Sequence, residues 1–249
     1  MTRGLAVHLL PDLVEPAALR GGVVIVIDNL RASVTITAAL ASGARRVLPA
    51  AGVDEAVMLR DRIARETPGE PPPLLGGERS GVLIPGFDLD NSPDAYSPAR
   101  VRGRTVVFTT TNGTRAIRHS EAARLVVVGS LTNLSAVCAL LEPDPGPFHV
   151  VCAGTGGSIT LDDCIPAGAF AQRLSALGSV PDDSGVLCLR AWEASRPDLA
   201  RAMGATRGGR GLTALGLGRD IERCCTLDVF SVVPRLVNGE LVLGKAGDS

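Results

Sequence analysis

The stretch Val23-Val24-Ile25-Val26-Ile27 decides the fold that this sequence predicts. It is a continuous β-branched run, which is typical of a strand buried on both faces of a mainly parallel sheet. The run ends at Asp28, and a helix is expected from about Arg31 to Ala41, with Gly43 as its C-cap. A strand that leads directly into a helix is the repeating unit of α/β proteins, so helices are expected on both faces of the sheet.

The same alternation continues along the 249-residue chain and predicts a three-layer α/β/α fold with a mainly parallel or mixed sheet. One unit over residues 1–249 is expected, with two α/β subdomains at about 1–100 and 101–249 as the alternative. The segment 75–93 has no sustained helical or strand period, so we interpret it as a functional loop. Further strands are predicted at residues 5–10, 46–48, 105–109, 125–128, 149–152, 227–233 and 236–243, and further helices at 54–66, 116–123, 133–141, 161–177, 184–203 and 211–223.

Composition argues against several classes of partner. The net charge is −1, so no global positive field attracts nucleic acid or lipid headgroups. No run of about 20 apolar residues predicts a membrane span, and the start of the chain lacks the pattern of a signal peptide. The six cysteines form no C-x-x-C pair, which favours a reducing compartment. A soluble cytoplasmic protein that binds neither nucleic acid nor membrane is expected.

A polar turn follows the predicted strand at residues 105–109 and opens a helix. Hydroxyl, amide and guanidinium groups at the amino end of a helix favour anion binding, and a glycine lets backbone N–H groups approach the ligand. The alternative is that these residues only shape an N-cap and a turn. The candidates for anion binding are Thr110, Thr111, Asn112, Gly113, Thr114 and Arg115.

Carboxylates and a further arginine follow other predicted strands. Asp28 is expected to be a Mg²⁺ ligand or a phosphoryl-accepting nucleophile, with helix capping as the alternative, and Arg31 lies close enough to bind an anion beside it. Asp162 and Asp163 are adjacent at a helix start, where capping explains one but does not need two. Glu78 and Arg79 lie in the irregular segment. If the strands are parallel neighbours, their carboxyl ends bring these turns to one edge of the sheet. Asp220 and Asp228 are expected at the surface, with completion of the pocket as the alternative.

With these residues laid out, the sequence resembles the 2-phosphosulfolactate phosphatase family, the ComB proteins of coenzyme M biosynthesis. The resemblance runs through most of the chain. Asn29 and Asp162 depart from the family's pattern, which more often has an aliphatic residue and Glu there. The matching blocks are Ile27 to Ser33, Gly76 to Arg79, Pro85 to Asp88, Asn91 to Pro93, Thr109 to Ala116, Cys152 to Gly154, Asp162 with Asp163, and Asp220 to Asp228.

The resemblance implies a ComB-like α/β/α fold and a Mg²⁺-dependent phosphatase that converts 2-phospho-3-sulfolactate to 3-sulfolactate and phosphate. It adds Asn91 and Ser92 to the expected substrate-binding residues, which also include Arg79 and the residues from Thr110 to Arg115. The expected catalytic residues are Asp28, Arg31 and Asp163, and the expected metal ligands are Asp28, Glu78, Asp162 and Asp163. Alternatives are a phosphatase of the same fold that acts on another small phosphorylated acid, and a non-catalytic anion-binding member. A homodimer is a base-rate expectation.

Overall fold

The computed structural model describes residues 3–244, which form an α/β/α sandwich as predicted. The strands are β1 (Arg3–His8), β2 (Val23–Ile27), β3 (Arg46–Pro49), β4 (Leu74–Arg79), β5 (Val82–Leu83), β6 (Thr105–Thr109), β7 (Leu125–Gly129), β8 (Phe148–Cys152), β9 (Ser179–Pro181), β10 (Pro234–Val237) and β11 (Glu240–Leu243). The helices are α1 (Ala32–Ala41), α2 (Val53–Glu66), α3 (Pro98–Val101), α4 (Gly113–His119), α5 (Leu134–Leu141), α6 (Leu161–Ala176), α7 (Asp183–Ser195), α8 (Leu199–Gly204), α9 (Arg207–Ala214) and α10 (Gly218–Cys225).

Strand β2 lies deep in the sheet because every one of its residues is apolar. All five residues of Val23–Ile27 are buried, and β2 pairs in parallel with β7 on one side and β8 on the other. Successive side chains of a strand point to opposite faces. Val23, Ile25 and Ile27 therefore pack in the core that contains α5, α6 and α7, while Val24 and Val26 pack in the core that contains α1 and α4.

Within residues 3–244 the sheet contains two parallel groups of strands joined by an antiparallel hairpin. The strand order is β5-β4-β6-β3-β11-β10-β7-β2-β8-β1-β9. The hairpin β10–β11 pairs with β7 through Arg235 and Val127, and with β3 through Leu241 and Val47. The predicted Asn238-Gly239 turn closes this hairpin, and both residues have positive φ (51° and 79°), as a type I′ turn requires. Strands from the first 100 residues are interleaved with strands from the rest of the chain in this order. The division of the chain into one or two units stays a prediction.

Four segments differ from the sequence prediction, and one of them is the helix expected at 211–223, which is divided between α9 and α10. The segment expected to be an irregular loop contains β4, which pairs in parallel with β6. The two glycines of β4 interrupt the side-chain pattern by which a strand is recognised in a sequence. The helix expected at 184–203 is divided between α7 and α8, because Pro197 in the short 3-10 helix Arg196–Asp198 interrupts it. The strand expected at 227–233 is not formed, and the chain there is irregular despite its β-branched residues.

None of the helices in residues 3–244 is long and apolar enough to cross a lipid bilayer.

Candidate active site

A cavity of about 480 Å³ opens at the carboxyl ends of the parallel strands. It is lined by groups from the turns after β2, β4, β6 and β8, so the predicted convergence at one sheet edge is observed. Eight of the residues assigned from the sequence line it: Asp28, Arg31, Glu78, Asn91, Thr111, Asn112, Asp162 and Asp163.

Asp163 is held by backbone N–H groups at the start of α6. The Asn29 N–H donates to its Oδ1 at 3.0 Å, and the Gly154 N–H donates to its Oδ2 at 2.8 Å. These two donors come from the turns after β2 and β8, which are neighbours in the sheet. The carboxylate of Asp163 therefore ties two strand ends together beneath the cavity, a function that capping of α6 alone does not require.

Glu78 plays the corresponding part at the end of β4. Its Oε1 accepts from the backbone N–H and the hydroxyl of Thr111, at 2.9 and 3.0 Å, and its Oε2 accepts from the Gly81 N–H at 2.7 Å. Glu78 is buried, and these contacts fix the β4–β5 connection against the turn after β6. Glu78, which was expected in an irregular segment, therefore lies at the end of a strand and forms part of the cavity wall.

Asp28 and Asp162 face the same cavity with fewer hydrogen bonds. Asp28 accepts from the Ala32 N–H, and Asp162 accepts from the Gly208 N–H at 3.3 Å. Gly113 lies directly against Asp28, since a Cβ added there would be 2.7 Å from Asp28 Oδ2. This close approach explains why glycine occupies position 113 at the first residue of α4.

Burial raises the pKa values of Asp28, Asp162 and Asp163, and repulsion from neighbouring carboxylates adds to the shift for Asp28 and Asp163. Burial raises the pKa of Asp28 to about 7, with further contributions from the charges of Glu78 and Asp162. Burial also raises the pKa of Asp163 well above its usual range, reinforced by Asp28 and Asp162 and opposed by the N–H groups of Asn29 and Gly154. The pKa of Asp162 is raised mainly by burial. The acidic groups of the lining therefore outnumber the basic ones, and burial together with this imbalance favours their protonated forms in the absence of a cation.

Arg31 is buried in an ion pair that the sequence did not predict. Its NH1 lies 2.5 Å from Asp220 Oδ2, and its NH2 donates to the Gly81 carbonyl oxygen at 2.8 Å. The Ser92 hydroxyl donates to the other oxygen of Asp220 at 2.8 Å. The prediction that Asp220 lies at the surface is wrong, because Asp220 is on the buried side of α10. Asp228 is exposed, as predicted.

Six other residues assigned from the sequence lie outside this cavity lining. Arg115 forms an ion pair with Asp12 at the surface, and both side chains are more than half exposed. Arg115 therefore points to Asp12 at the surface, whereas Asn112, the N-cap of α4, lines the cavity. Arg79 donates to the Glu78 carbonyl and to the Thr109 hydroxyl. The six residues are Arg79, Ser92, Thr110, Gly113, Thr114 and Arg115, and of these Thr110, Thr114 and Arg115 line a separate surface cavity of about 400 Å³.

The other wall of the cavity was not predicted from the sequence. Helix α9 and the following turn contribute Arg207, Gly208, Gly211, Leu212 and Leu215. The sequence carries little sign of this wall, because three of the eight residues of α9 are glycine and arginine is the common basic residue of the whole chain.

The donor set was compared with the needs of a divalent cation. In residues 3–244 no group of three or more His, Cys, Asp or Glu side chains is arranged to hold a metal ion. Mg²⁺, however, commonly takes only one or two protein carboxylates and keeps several waters. Asp28 and Asp162 are the cavity carboxylates with the fewest protein hydrogen bonds, and the raised pKa of Asp28 shows a site that a cation would relieve. The chemistry of the lining therefore fits a largely hydrated Mg²⁺.

Comparisons with known proteins identify the family of this chain. The family model of 2-phosphosulpholactate phosphatase matches residues 8–239. A protein of Caldanaerobacter subterraneus subsp. tengcongensis is 41% identical over 217 residues, 87% of this chain and 88% of its own length. Proteins of Symbiobacterium thermophilum and Deinococcus radiodurans are 40% and 38% identical, over 90% and 95% of this chain and 95% and 94% of their own lengths. Each of the three is named a probable 2-phosphosulfolactate phosphatase. The chain belongs to the 2-phosphosulfolactate phosphatase family of phosphoric monoester hydrolases.

Proposed function

We propose that this protein is a Mg²⁺-dependent phosphatase that hydrolyses 2-phospho-3-sulfolactate to 3-sulfolactate and phosphate, the reaction type of coenzyme M biosynthesis. The single observation that supports it most is the convergence of Asp28, Asp162 and Asp163 in one cavity of a chain that belongs to this family. The expected substrate carries phosphate, sulfonate and carboxylate groups, so it is strongly anionic.

Electrostatics support the need for a cation. The cavity lining contains four carboxyl groups and two guanidinium groups, and the guanidinium of Arg31 is already neutralised by Asp220. A multiply charged anion would be repelled from such a lining unless positive charge entered with it. Bound Mg²⁺ would supply that charge and would polarise the phosphoryl group.

The protein's own groups would position the substrate and handle the proton. In the overall reaction an oxygen from water ends on phosphorus, the bond from phosphorus to the substrate's C2 oxygen breaks, and that oxygen takes a proton. Two roles for Asp28 are compatible with its place: it is a ligand of Mg²⁺ in one, and in the other it attacks phosphorus and carries the phosphoryl group until water releases it. Asn112 lines the cavity with its Oδ1 accepting from the Gly156 N–H at 3.0 Å, and its side-chain NH2 group would donate to a phosphate oxygen.

The test is release of inorganic phosphate from 2-phospho-3-sulfolactate, measured with Mg²⁺ and with EDTA. Activity is expected with Mg²⁺ and is expected to be lost with EDTA. The Asp28→Asn variant should abolish turnover in either role of Asp28, while Asp228→Asn, which changes an exposed carboxylate outside the cavity, should keep it. The same assay on a panel of other small phospho-acids shows whether 2-phospho-3-sulfolactate or another small phosphorylated acid is the preferred substrate. Binding of the anion without phosphate release from any of them would contradict the proposal.

Rapid quenching of the reaction separates the two roles of Asp28. A phosphorylated protein that survives an acid quench, is cleaved by hydroxylamine and is absent in Asp28→Asn would assign the nucleophile. Turnover with no such species would assign Asp28 to Mg²⁺.

A further inference from the structure

Arg207 lines the cavity and has no assigned role. It is the first residue of α9, it is exposed, and its NH1 donates to the carbonyl oxygen of Thr155 at 3.2 Å. Thr155 lines the same cavity, so the guanidinium group spans the gap between α9 and the turn after β8.

The other arginines near the site are already engaged. Arg31 is paired with Asp220, and Arg79 donates to Glu78 and Thr109. Arg115 and Arg118 are paired with carboxylates at the separate surface cavity, Asp12 and Glu55. Within residues 3–244, Arg207 is the cavity-lining arginine that no carboxylate neutralises. A guanidinium without an anionic partner is suited to bind an incoming carboxylate or sulfonate through two parallel hydrogen bonds.

The position of Arg207 relative to the carboxylates fits a molecule with two acidic ends. The neighbouring residue Gly208 donates its N–H to Asp162, and a Cβ added at Gly208 would be 2.6 Å from Asp162 Oδ2. The amino end of α9 is thus in contact with the carboxylate cluster. A phosphate placed at the cluster would leave the rest of a short substrate within reach of Arg207, in a cavity larger than a phosphate group needs.

A buried polar atom supports the presence of a ligand in this cavity. Asn91 lines it, is 4% exposed, and has its Oδ1 without a hydrogen-bond partner among the described residues. Buried polar atoms are normally paired, and an orphaned one at a cavity wall indicates a group that enters from the cavity.

We propose that Arg207 binds the acidic group of the substrate that is not transferred, and so gives the site its preference for phospho-acids over simple phosphomonoesters. The inference rests on the proposed function and names the substrate class: a small phosphomonoester with a carboxylate or sulfonate a few bonds from the phosphate. Arg207 is a binding and specificity residue in this proposal, since nothing brings it to the reacting phosphorus.

The test compares Arg207→Ala and Arg207→Lys with Arg210→Ala. Arg210 is an exposed arginine of the same helix that bonds the Ala205 carbonyl oxygen and does not line the cavity. For 2-phospho-3-sulfolactate, Arg207→Ala should raise KM about 10- to 100-fold, with kcat much less affected, since one charge-assisted bidentate contact contributes roughly 1.5–3 kcal/mol. The loss in kcat/KM should be at least about ten times smaller for 4-nitrophenyl phosphate, which lacks a second acidic group. Arg207→Lys should recover part of the loss, and Arg210→Ala should match the wild type.

Calorimetric titration with 3-sulfolactate gives a second measurement that does not require turnover. The dissociation constant should rise about tenfold or more in Arg207→Ala and stay unchanged in Arg210→Ala. Equal losses on both phosphate esters, or unchanged binding of 3-sulfolactate, would overturn the inference while the phosphatase activity stands. A wild type that releases phosphate from no substrate but binds 3-sulfolactate through Arg207 would contradict the proposed function alone, and one that neither binds nor hydrolyses would overturn both.

Discussion

At the scale of single residues, the site shows which assignments a sequence can support. Asp28 and Asp163 were expected from their places beside predicted strands and helices, Glu78 was expected from the family resemblance, and the structure brings all three to one cavity. Whether Arg115 faces the cavity or solvent could not be predicted, because the answer depends on the exact residue at which α4 begins. Asp220 could not be found either, because its partner Arg31 is 189 residues away in the chain.

Asn29 is a residue that the fold explains although the sequence pattern did not. It is fully buried directly after β2, its side-chain Nδ2 donates to the Cys224 carbonyl, and its Oδ1 accepts from the Leu131 N–H. Its own N–H donates to Asp163. An aliphatic side chain at this place would leave the Cys224 and Leu131 groups without this partner, so the amide links the strand end to α10 and to the turn after β7.

The buried pair of Arg31 and Asp220 gives a prediction at this scale. Asp220→Asn keeps the size of the side chain but leaves the guanidinium of Arg31, 2% exposed, without a counter-charge. Breaking one side of a buried ion pair costs about 3 kcal/mol or more. We expect the midpoint of thermal unfolding to fall by roughly 6 °C or more for a chain of this size, with a loss of phosphatase activity.

Asp228→Asn is the matched control for that change. Asp228 lies eight residues further along the chain, is exposed, and bonds Ser135, so the unfolding midpoint should change little. Equal effects of the two substitutions would show that Arg31 is not held by its pairing with Asp220.

At the scale of helices and strands, local pattern predicted the elements that have strong periodicity or composition. The β-branched runs β2 and β6 were predicted at the residues where they occur. β4 was missed because its glycines remove the side chains that reveal a strand, and its stability comes from pairing with β6. The short helices α8 to α10 were merged or displaced, because they are held by packing on α6 and on each other rather than by an apolar stripe of their own.

The neighbouring strands β1 and β8 bring together two histidines that look unrelated in the sequence. His8 Nε2 lies 3.1 Å from His149 Nδ1, and the two rings are stacked. Burial lowers the pKa of both, and for His8 the charges of His149 and His119 lower it further while Asp182 opposes the shift. The unfolded chain therefore binds more protons than the folded one in the range below the ordinary histidine pKa of about 6.5.

A pH dependence of stability follows from this pair. The contribution of the histidines is present above pH of about 6.5 and is lost as the pH falls through their lowered folded-state pKa values. The unfolding midpoint of the wild type should therefore fall more steeply between pH 7 and pH 5 than that of His149→Gln or His8→Gln. The comparison with variants is needed because the cavity carboxyls, whose pKa values are raised, act in the opposite direction. Parallel curves for the wild type and both variants would contradict the prediction.

At the scale of the whole molecule, the cavity is assembled by both parallel groups of the sheet. Glu78, Thr111 and Asn112 belong to the group that contains β4 and β6, while Asp28 and Asp163 belong to the group that contains β2 and β8. The hairpin β10–β11 joins the two groups through one residue pair on each side. This arrangement could not be predicted from the sequence, because β10 and β11 insert between β3 and β7, which lie much earlier in the sequence.

The last prediction concerns the effect of Mg²⁺ in the cavity on the stability of the folded protein. A cation that binds carboxylates of the folded protein, and not of the unfolded chain, shifts the unfolding equilibrium by mass action. Mg²⁺ at about 100 times its dissociation constant adds about 2.7 kcal/mol, which for a chain of this size raises the unfolding midpoint by roughly 5–10 °C. Differential scanning fluorimetry at constant ionic strength measures the shift, and Asp28→Asn should remove most of it while Asp228→Asn keeps it. A shift of equal size in Asp28→Asn would contradict this prediction, since it would show that Asp28 is not a ligand of the bound cation, and would leave Asp28 the role of nucleophile.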